Sequence, residues 1–332
     1  MDPLSQGVLG AAAANSIAPP KDARIACLLG FLAGMAPDLD VFIRSSSDPL
    51  LFLEYHRQFT HSLIFIPIGG LLCGWVLHQL FAKKRGLTLK QSVLYCTLGY
   101  ATHALLDACT TYGTQLFWPF TDARYAWNTV SVIDPMFTVP VLILIVMAVM
   151  RQKPALARVA LAWAIAYPTI GLIQRDRAEA VGWQLASERG HQPISLEAKP
   201  SFANLVLWKI VYQTEDAFYV DGVRVGLDTR VYDGDSIPRL DLERDFPWLD
   251  HNSQQAKDIE RFRWFSSGYV AVDPGHPNRI TDIRYSFLPN QVAGLWSIQL
   301  SPSASAEEHV NYLVSRDASD KILAKFRTML FE

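Results

Sequence analysis

Apolar and polar positions alternate on two different scales along this chain. From Leu4 to about Ile173, long charge-poor runs are separated by short polar connectors; after Gln174 apolar and charged residues mix as in an ordinary soluble protein. The first pattern predicts helices that meet lipid, the second a globular domain. Leu4 to Ala18 is apolar and rich in small residues, and Pro19-Pro20 ends it, since consecutive prolines break a helix. Ile25 to Ala36 follows a charged connector (Lys21, Asp22, Arg24) and stops at Pro37. Both runs fall short of the roughly 20 residues of a full span, so they predict a helical hairpin that crosses thinly or re-enters. Leu63–Ala82, Gln91–Thr110, Pro135–Met150 and Ala155–Ile173 are the further spans, with a polar, aromatic connector from Thr111 to Val132.

In the second half, Arg175–Arg189 reads as a helix. Leu205–Gln213, Ala217–Val220, Val223–Leu227, Gly268–Val272, Ile280–Tyr285 and Leu295–Leu300 read as strands. Asp221-Gly222 between two of these is a two-residue hairpin signal. Helices at Ala306–Val314 and Asp320–Phe331 close the chain. The predicted architecture is a polytopic α-helical membrane domain, residues 1–174, followed by a soluble, mainly-β (α+β) domain, residues 175–332.

Composition adds little to this. A net charge of −2 and 50% apolar residues over 332 positions average over two unlike halves. Basic residues are interspersed with acids, which leaves no nucleic-acid footprint. The four cysteines lie in or beside apolar runs without C-x-x-C spacing, so they are read as buried apolar residues. Met1-Asp2-Pro3 lacks the basic start and cleavage pattern of a removed signal peptide. Charge does set orientation. The Lys83–Lys90 and Arg151–Arg158 connectors fall on one side if the spans alternate, with Lys21 and Arg24 beside them, and the positive-inside rule makes that side cytoplasmic. Asp2, Asp38, Asp40, His56, His61, His103, Asp107, Asp134 and the C-terminal domain then share the opposite face, periplasmic in a Gram-negative inner membrane.

The chemistry-bearing residues lie at the ends of these runs, where ionisable groups cost roughly 2.5–3.5 kcal/mol each and point to function. His56-Arg57-Gln58-Phe59-Thr60-His61-Ser62 precedes Leu63, Pro37-Asp38-Leu39-Asp40 ends another run, and His103 and Asp107 stand four apart near the end of a third. On a helix, His103 and Asp107 share a face, and either bind one metal together or hydrogen-bond each other. Asp38 and Asp40 repel unless a cation neutralises them; the alternative is a solvated helix end. Histidine nitrogens with carboxylate oxygens suit zinc, with manganese or iron open, and make water a nucleophile at neutral pH. A pair of such metals suits phosphoester chemistry. Arg57 matches a phosphate oxygen, or else anchors at the interface or pairs with Glu54. His78 reads as helix packing and Asp134 as a helix cap. His191, His251, His276 and His309 read as surface residues, and Trp118, Tyr125 and Trp127 as an interfacial belt.

Met1-Asp2-Pro3-Leu4, Pro37-Asp38-Leu39-Asp40, the His56–Ser62 stretch and His103-Ala104-Leu105-Leu106-Asp107 together resemble the LexA-regulated inner-membrane metal-dependent hydrolases (YdjM-like). The resemblance covers about the first 175 residues and extends loosely to Arg263-Trp264-Phe265-Ser266. It implies a metal-dependent hydrolase, similar in its H-x-x-x-D element to zinc-dependent phospholipase C, with Asp38, Asp40, His56, His61, His103 and Asp107 as candidate ligands. The chain departs from the family pattern at Gln6, where histidine is common; a ligand there would be missing, or replaced by Asp2. The resulting expectation is a hydrolase acting on a phosphoester or other ester, with membrane lipid as a fitting substrate. Arg57 and Asp40 are its candidate catalytic residues, Arg57 stabilising developing negative charge. The alternative is a non-catalytic membrane scaffold with a structural metal and a periplasmic binding domain.

Overall fold

A computed structural model describes residues 1–315 and 319–332 of the chain. They form two compact units: Met1–Phe42 with Tyr55–Leu172 and Phe202–Asn204, and Ile43–Glu54 with Ile173–Ser201 and Leu205–Glu332. The predicted helical region and the following domain of antiparallel sheets are both present.

The first unit is a bundle built from α1 (Pro3–Ile17) and α2 (Ala23–Met35). After the short α3 (Leu51–Tyr55) come α4 (Ile66–Leu77), α5 (Leu89–Cys109), α6 (Pro135–Arg151) and the first part of α7 (Pro154–Glu188). Asp2 starts α1 by accepting a hydrogen bond from the Ser5 amide at 3.1 Å, which satisfies one of the orphan donors of a helix N-terminus. Short helical turns flank α2, so the continuous segment Pro20–Phe42 has 23 residues and is long and apolar enough to cross a membrane. The same holds for Leu63–Arg85 and Pro154–Glu188, while Pro135–Arg151 is a shorter apolar helix. Of the two runs expected to be short, only α1, with 15 residues, remains so, and it is buried along nearly its whole length.

Bare backbone contacts hold these helices together. A Cβ on Gly10 would lie 2.4 Å from the Gly30 carbonyl oxygen, and one on Gly99 of α5 would lie equally close to that oxygen, at 2.4 Å. Small residues allow this approach, which suits a bundle that gains no hydrophobic drive from lipid. Apolar side chains point outward instead. Met136, Val139, Ile143, Val146 and Met150 form an exposed stripe on α6, and Ile68, Leu71, Leu72 and Trp75 are exposed on α4. The charged connectors gather at one end: Arg158 Nε donates to the Ser16 carbonyl at 3.0 Å, and Ala82 and Leu87 pack with Ala18. At the other end the Asp2 amide donates to the Val132 carbonyl at 2.9 Å.

In the second unit, β1 (Ser195–Pro200), β2 (Leu207–Gln213), β3 (Ala217–Val225) and β4 (Thr229–Tyr232) form an antiparallel sheet, and β5 (Ser236–Pro238) pairs with β3. A second sheet runs β6 (Val270–Val272), β7 (Arg279–Asp282), β8 (Trp296–Gln299) and β9 (Asn311–Val314) in a meander. Val211, Phe218 and Val220 of the first sheet pack on Ala271, Tyr269 and Ile283 from the second. Trp208, Ile210 and Tyr212, on the alternate face of β2, pack on Ala178 and Ala186 of α7, as the period of two in a strand requires. The short α8 (Leu242–Asp245) precedes α9 (Gln254–Phe265), whose Ile259 and Phe262 cover the second sheet. α10 (Asp320–Phe331) inserts Phe326 and Met329 beside Leu207 and Leu288.

Four expectations are corrected here. The segment 43–54 joins the second unit, because Leu50 and Leu53 are buried against Phe246, Ile259 and Phe262. The last span and the Arg175–Arg189 helix are one continuous helix, α7. Asp221-Gly222 is not a turn: β3 runs through it, because the Asp221 carboxylate is held within the sheet by Arg189 at 2.6 and 2.9 Å and by the Gly234 amide at 3.0 Å. The hairpin turns earlier, where the Thr214 amide donates to the Ala217 carbonyl at 2.9 Å. No helix forms at 306–314, since Asn311–Val314 pairs with β8 and Asp258 accepts from His309 Nδ1 at 2.8 Å and the Val310 amide at 3.2 Å. His309, and His191 with Tyr212 at 2.8 Å, therefore have partners that their spacing did not reveal.

Lys209 turns inward between the sheets, donating to Ser286 Oγ at 2.7 Å and the Gln291 carbonyl at 2.6 Å. Burial pushes its pKa down from 10.5 to about 7, against the opposing pull of Asp282 and Asp235. The unfolded chain therefore binds the extra proton between these values, and this group makes the second unit more stable as pH rises from about 7 towards 10.5, with the benefit lost as pH falls through about 7. Denaturant unfolding followed across that range is expected to show the rise in wild type and a flatter profile in Lys209→Met. Parallel profiles would contradict it.

Candidate metal centre

Three stretches of chain meet at the end of the bundle away from the charged connectors. The turn Ala36–Phe42 after α2 carries Asp38 and Asp40, the turns before α4 carry His56, Arg57 and His61, and α5 brings His103 and Asp107 one helical turn apart. The packing of α5 on α2 sets the alignment. Gly99 lies on Gly30, and one turn further along both helices His103 Nδ1 donates to the Gly34 carbonyl at 2.6 Å. The turn Phe59–His61 is fixed against the same helix by the Tyr100 hydroxyl, which donates to the Thr60 carbonyl at 2.7 Å.

Each buried histidine has its Nδ1 committed. That of His103 faces a carbonyl, and that of His61 lies 3.0 Å from Thr60 Oγ1, itself a donor to Asp40, and 3.1 Å from Asp40 Oδ2. These acceptors assign the ring protons to Nδ1 and leave both Nε2 atoms as bare acceptors, the usual arrangement of metal-binding imidazoles, whose other ring nitrogen donates to a carbonyl or carboxylate. The two Nε2 atoms face each other at 2.9 Å. Asp38 Oδ1 lies 3.4 Å from His61 Nε2 and 3.3 Å from His103 Nε2. Asp107 Oδ2 lies 3.4 and 3.7 Å from the same nitrogens and accepts no hydrogen bond among the described residues.

These separations form a test of fit. A tetrahedral ion with bonds of about 2.0–2.1 Å has ligand–ligand edges of roughly 3.3–3.4 Å. The five distances, 2.9 to 3.7 Å, bracket that edge. Two imidazole acceptors and two carboxylates, three of the four residues fully buried, repel one another unless a cation lies among them. The donor set therefore fits a divalent metal ion.

Asp38 also belongs to a second group, with Asp40 and His56. Here the carboxylate of Asp40 is heavily engaged. Its Oδ1 meets His56 Nδ1 at 2.7 Å, and its Oδ2 accepts from Thr60 Oγ1 at 2.7 Å and the Arg57 amide at 3.1 Å. Asp40 thus stands behind both His56 and His61 and orients them. Arg57 adopts a left-handed backbone (φ 66°) and is buried. Its Nε lies 3.1 Å from Asp107 Oδ2 and its Nη1 donates to Thr110 Oγ1 at 3.2 Å. The alternative pairing of Arg57 with Glu54 is not found among the described residues, where Glu54 is held by Arg261 at 2.5 Å.

Sequence reasoning missed several supports. Gln6 Nε2 donates to Asp107 Oδ1 at 2.9 Å, and the Met1 α-amino group contacts the same oxygen. Asp2 does not stand in for a missing ligand, because its carboxylate is turned to Ser5 at the start of α1. Thr60, inside the His56–His61 stretch, was available as a signal; the Gly34 carbonyl carried none. His78 packs through Nδ1 on Ser92 Oγ at 3.0 Å. Asp134 caps α6 by accepting from the Met136 amide at 3.1 Å and also holds the Tyr167 hydroxyl at 2.9 Å.

Comparison with known proteins adds three findings. The YdjM inner membrane protein family model matches residues 1–178. The chain is 26% identical over 271 residues to "Uncharacterized protein YfhP" of Bacillus subtilis, covering 78% of this chain and 77% of that protein. It is 30% identical over 128 residues to "Inner membrane protein YbcI" of Escherichia coli, covering 37% of this chain and 69% of that protein. No solved structure matches significantly.

Because Gly99 sets the approach of α5 to α2, Gly99→Ala is expected to force the helices apart, at a cost of about 1–3 kcal/mol. Thermal unfolding in detergent tests this, and a variant that melts with wild type would contradict the close packing.

Proposed function

The chain belongs to the YdjM inner membrane protein family, and from that premise we propose that it is a membrane-embedded, metal-dependent hydrolase of phosphoester or other ester bonds. The observation that carries this reading is the convergence of His61 Nε2, His103 Nε2, Asp38 Oδ1 and Asp107 Oδ2. Those four residues hold the ion, with zinc first among the candidates. When bound, it supplies Lewis acidity and makes water nucleophilic at neutral pH.

The remaining steps fall to residues of the chain. The Gly34 carbonyl and Asp40 keep the two buried imidazoles in one tautomer and one orientation. Arg57 offsets the charge of Asp107 and restrains its Oδ2. Its burial gives it this supporting role in place of the direct phosphate contact expected from sequence. Asp38 is a quarter exposed, so substrate approaches from its side. His56, 30% exposed with Nδ1 on Asp40 at 2.7 Å, has the geometry of a general acid–base: Asp40 holds the Nδ1 proton, and Nε2 takes a proton from water and returns it to the leaving alkoxide. Asp40 and His56 are therefore assigned to proton transfer rather than to the four-donor shell.

Location supports a lipid-borne substrate. The donors sit opposite the basic connectors, whose cytoplasmic placement by the positive-inside rule makes the chain multi-pass with its centre at the periplasmic face. A second reading has one observation in its favour: four protein donors close a tetrahedron, as in structural zinc sites. In that case the ion ties α2, the His56–His61 turns and α5 together without catalysis.

Purified protein loaded with zinc separates the two. The hydrolase reading predicts turnover of phosphodiester or phospholipid substrates, loss of bound zinc in His103→Ala, and retained zinc with a rate lower by about 10²–10⁴ in His56→Gln. Stoichiometric zinc with no turnover on a panel of phosphodiesters, phospholipids and carboxylic esters would overturn it in favour of the structural reading.

A further inference from the structure

The segment 43–54 leaves the helical unit, is embedded in the second unit, and returns. Its position in the chain is notable. Asp40 lies three residues before Ile43, and His56 lies two residues after Glu54. It is therefore the covalent strap between the turn bearing Asp38 and Asp40 and the turns bearing His56, Arg57 and His61.

Leu50 and Leu53 bury the strap in the core around Ile259 and Phe262, which accounts for its attachment but not for its register. Register is set by one guanidinium. Arg261 of α9 grips Asp48 through two parallel bonds, Nη1 to Oδ1 at 3.0 Å and Nη2 to Oδ2 at 2.8 Å. Its Nε donates to Glu54 Oε1 at 2.5 Å. Nη1 also donates to Asp258 Oδ1 at 2.9 Å, one turn back on the same helix. Asp258 is in turn pinned by Gln254 at 3.0 Å and His309 at 2.8 Å. Bidentate arginine–carboxylate pairs fix direction as well as distance, so Arg261 holds the middle of the strap, at Asp48, and its last residue, Glu54, to one point of a packed helix. An isolated surface ion pair contributes little; this one is a network of three carboxylates around a single cation.

We infer that Arg261 is a positioning residue for the candidate metal centre: by fixing the strap at Asp48 and Glu54, it sets the separation at which the Asp38–Asp40 turn and the His56–His61 turns meet. This gives the C-terminal unit a role in assembling the membrane site through chain continuity. It rests on the metal reading above.

The test uses full-length protein in detergent and measures zinc affinity by competition with a chelating dye, beside circular dichroism of the fold. Arg261→Met and Asp48→Asn are expected to weaken zinc binding about tenfold or more, the scale of lost outer-shell support, while Arg261→Lys falls between. Arg189→Met breaks the Arg189–Asp221 pair elsewhere in the same unit and is expected to leave affinity unchanged. Folded Arg261→Met and Asp48→Asn with wild-type affinity would overturn the inference alone, as would an equal loss in Arg189→Met. Wild-type protein that takes up no zinc would remove the metal reading, and the inference with it.

Discussion

Two imidazole nitrogens held 2.9 Å apart in a buried space are the constraint on which the helical unit depends. Neither ring can turn away without abandoning its Nδ1 acceptor, the Gly34 carbonyl in one case and Asp40 in the other. Facing acceptors of this kind, with two carboxylate oxygens beside them, are unstable in a medium that cannot solvate them unless positive charge lies among them. The glycine contacts between α2 and α5, the cap on α1 and the buried Arg57 make sense as the means of holding that arrangement.

The energetic logic differs between the units. In the helical unit the helices meet through backbone, and large apolar side chains are left to the outside, which suits hydrocarbon as the surrounding solvent. In the second unit apolar residues point inward between sheets and under helices. The strap 43–54 obeys the second rule although the chain around it obeys the first. Its Leu50 and Leu53 are fully committed to the soluble core, and its ends return directly to the polar residues of the bundle.

Much of the helical unit was legible because lipid-facing helices advertise themselves by length and by the prolines and charges that bound them. The His103–Asp107 spacing and the His56–His61 stretch announced a shared site for the same reason: polar groups at span ends are costly. Which of them would converge was not legible, since that depends on the close approach of α2 and α5 and on a backbone carbonyl. In the β unit the alternation of Leu207–Gln213 was clear, whereas Asp221-Gly222 misled. A carboxylate paired with Arg189, 32 residues away, removed the reason for a turn. Asn311–Val314 likewise became a strand through pairing with β8, a partner that local propensity does not encode.

The central claim is that His61, His103, Asp38 and Asp107 form one metal-binding shell. X-ray absorption at the zinc edge, recorded on full-length protein loaded with one equivalent, tests it most directly. The account predicts only nitrogen and oxygen ligands at about 2.0–2.1 Å, with the multiple-scattering signature of two imidazoles and no sulfur. Sulfur in the first shell, or a spectrum of hydrated zinc without imidazole, would contradict it.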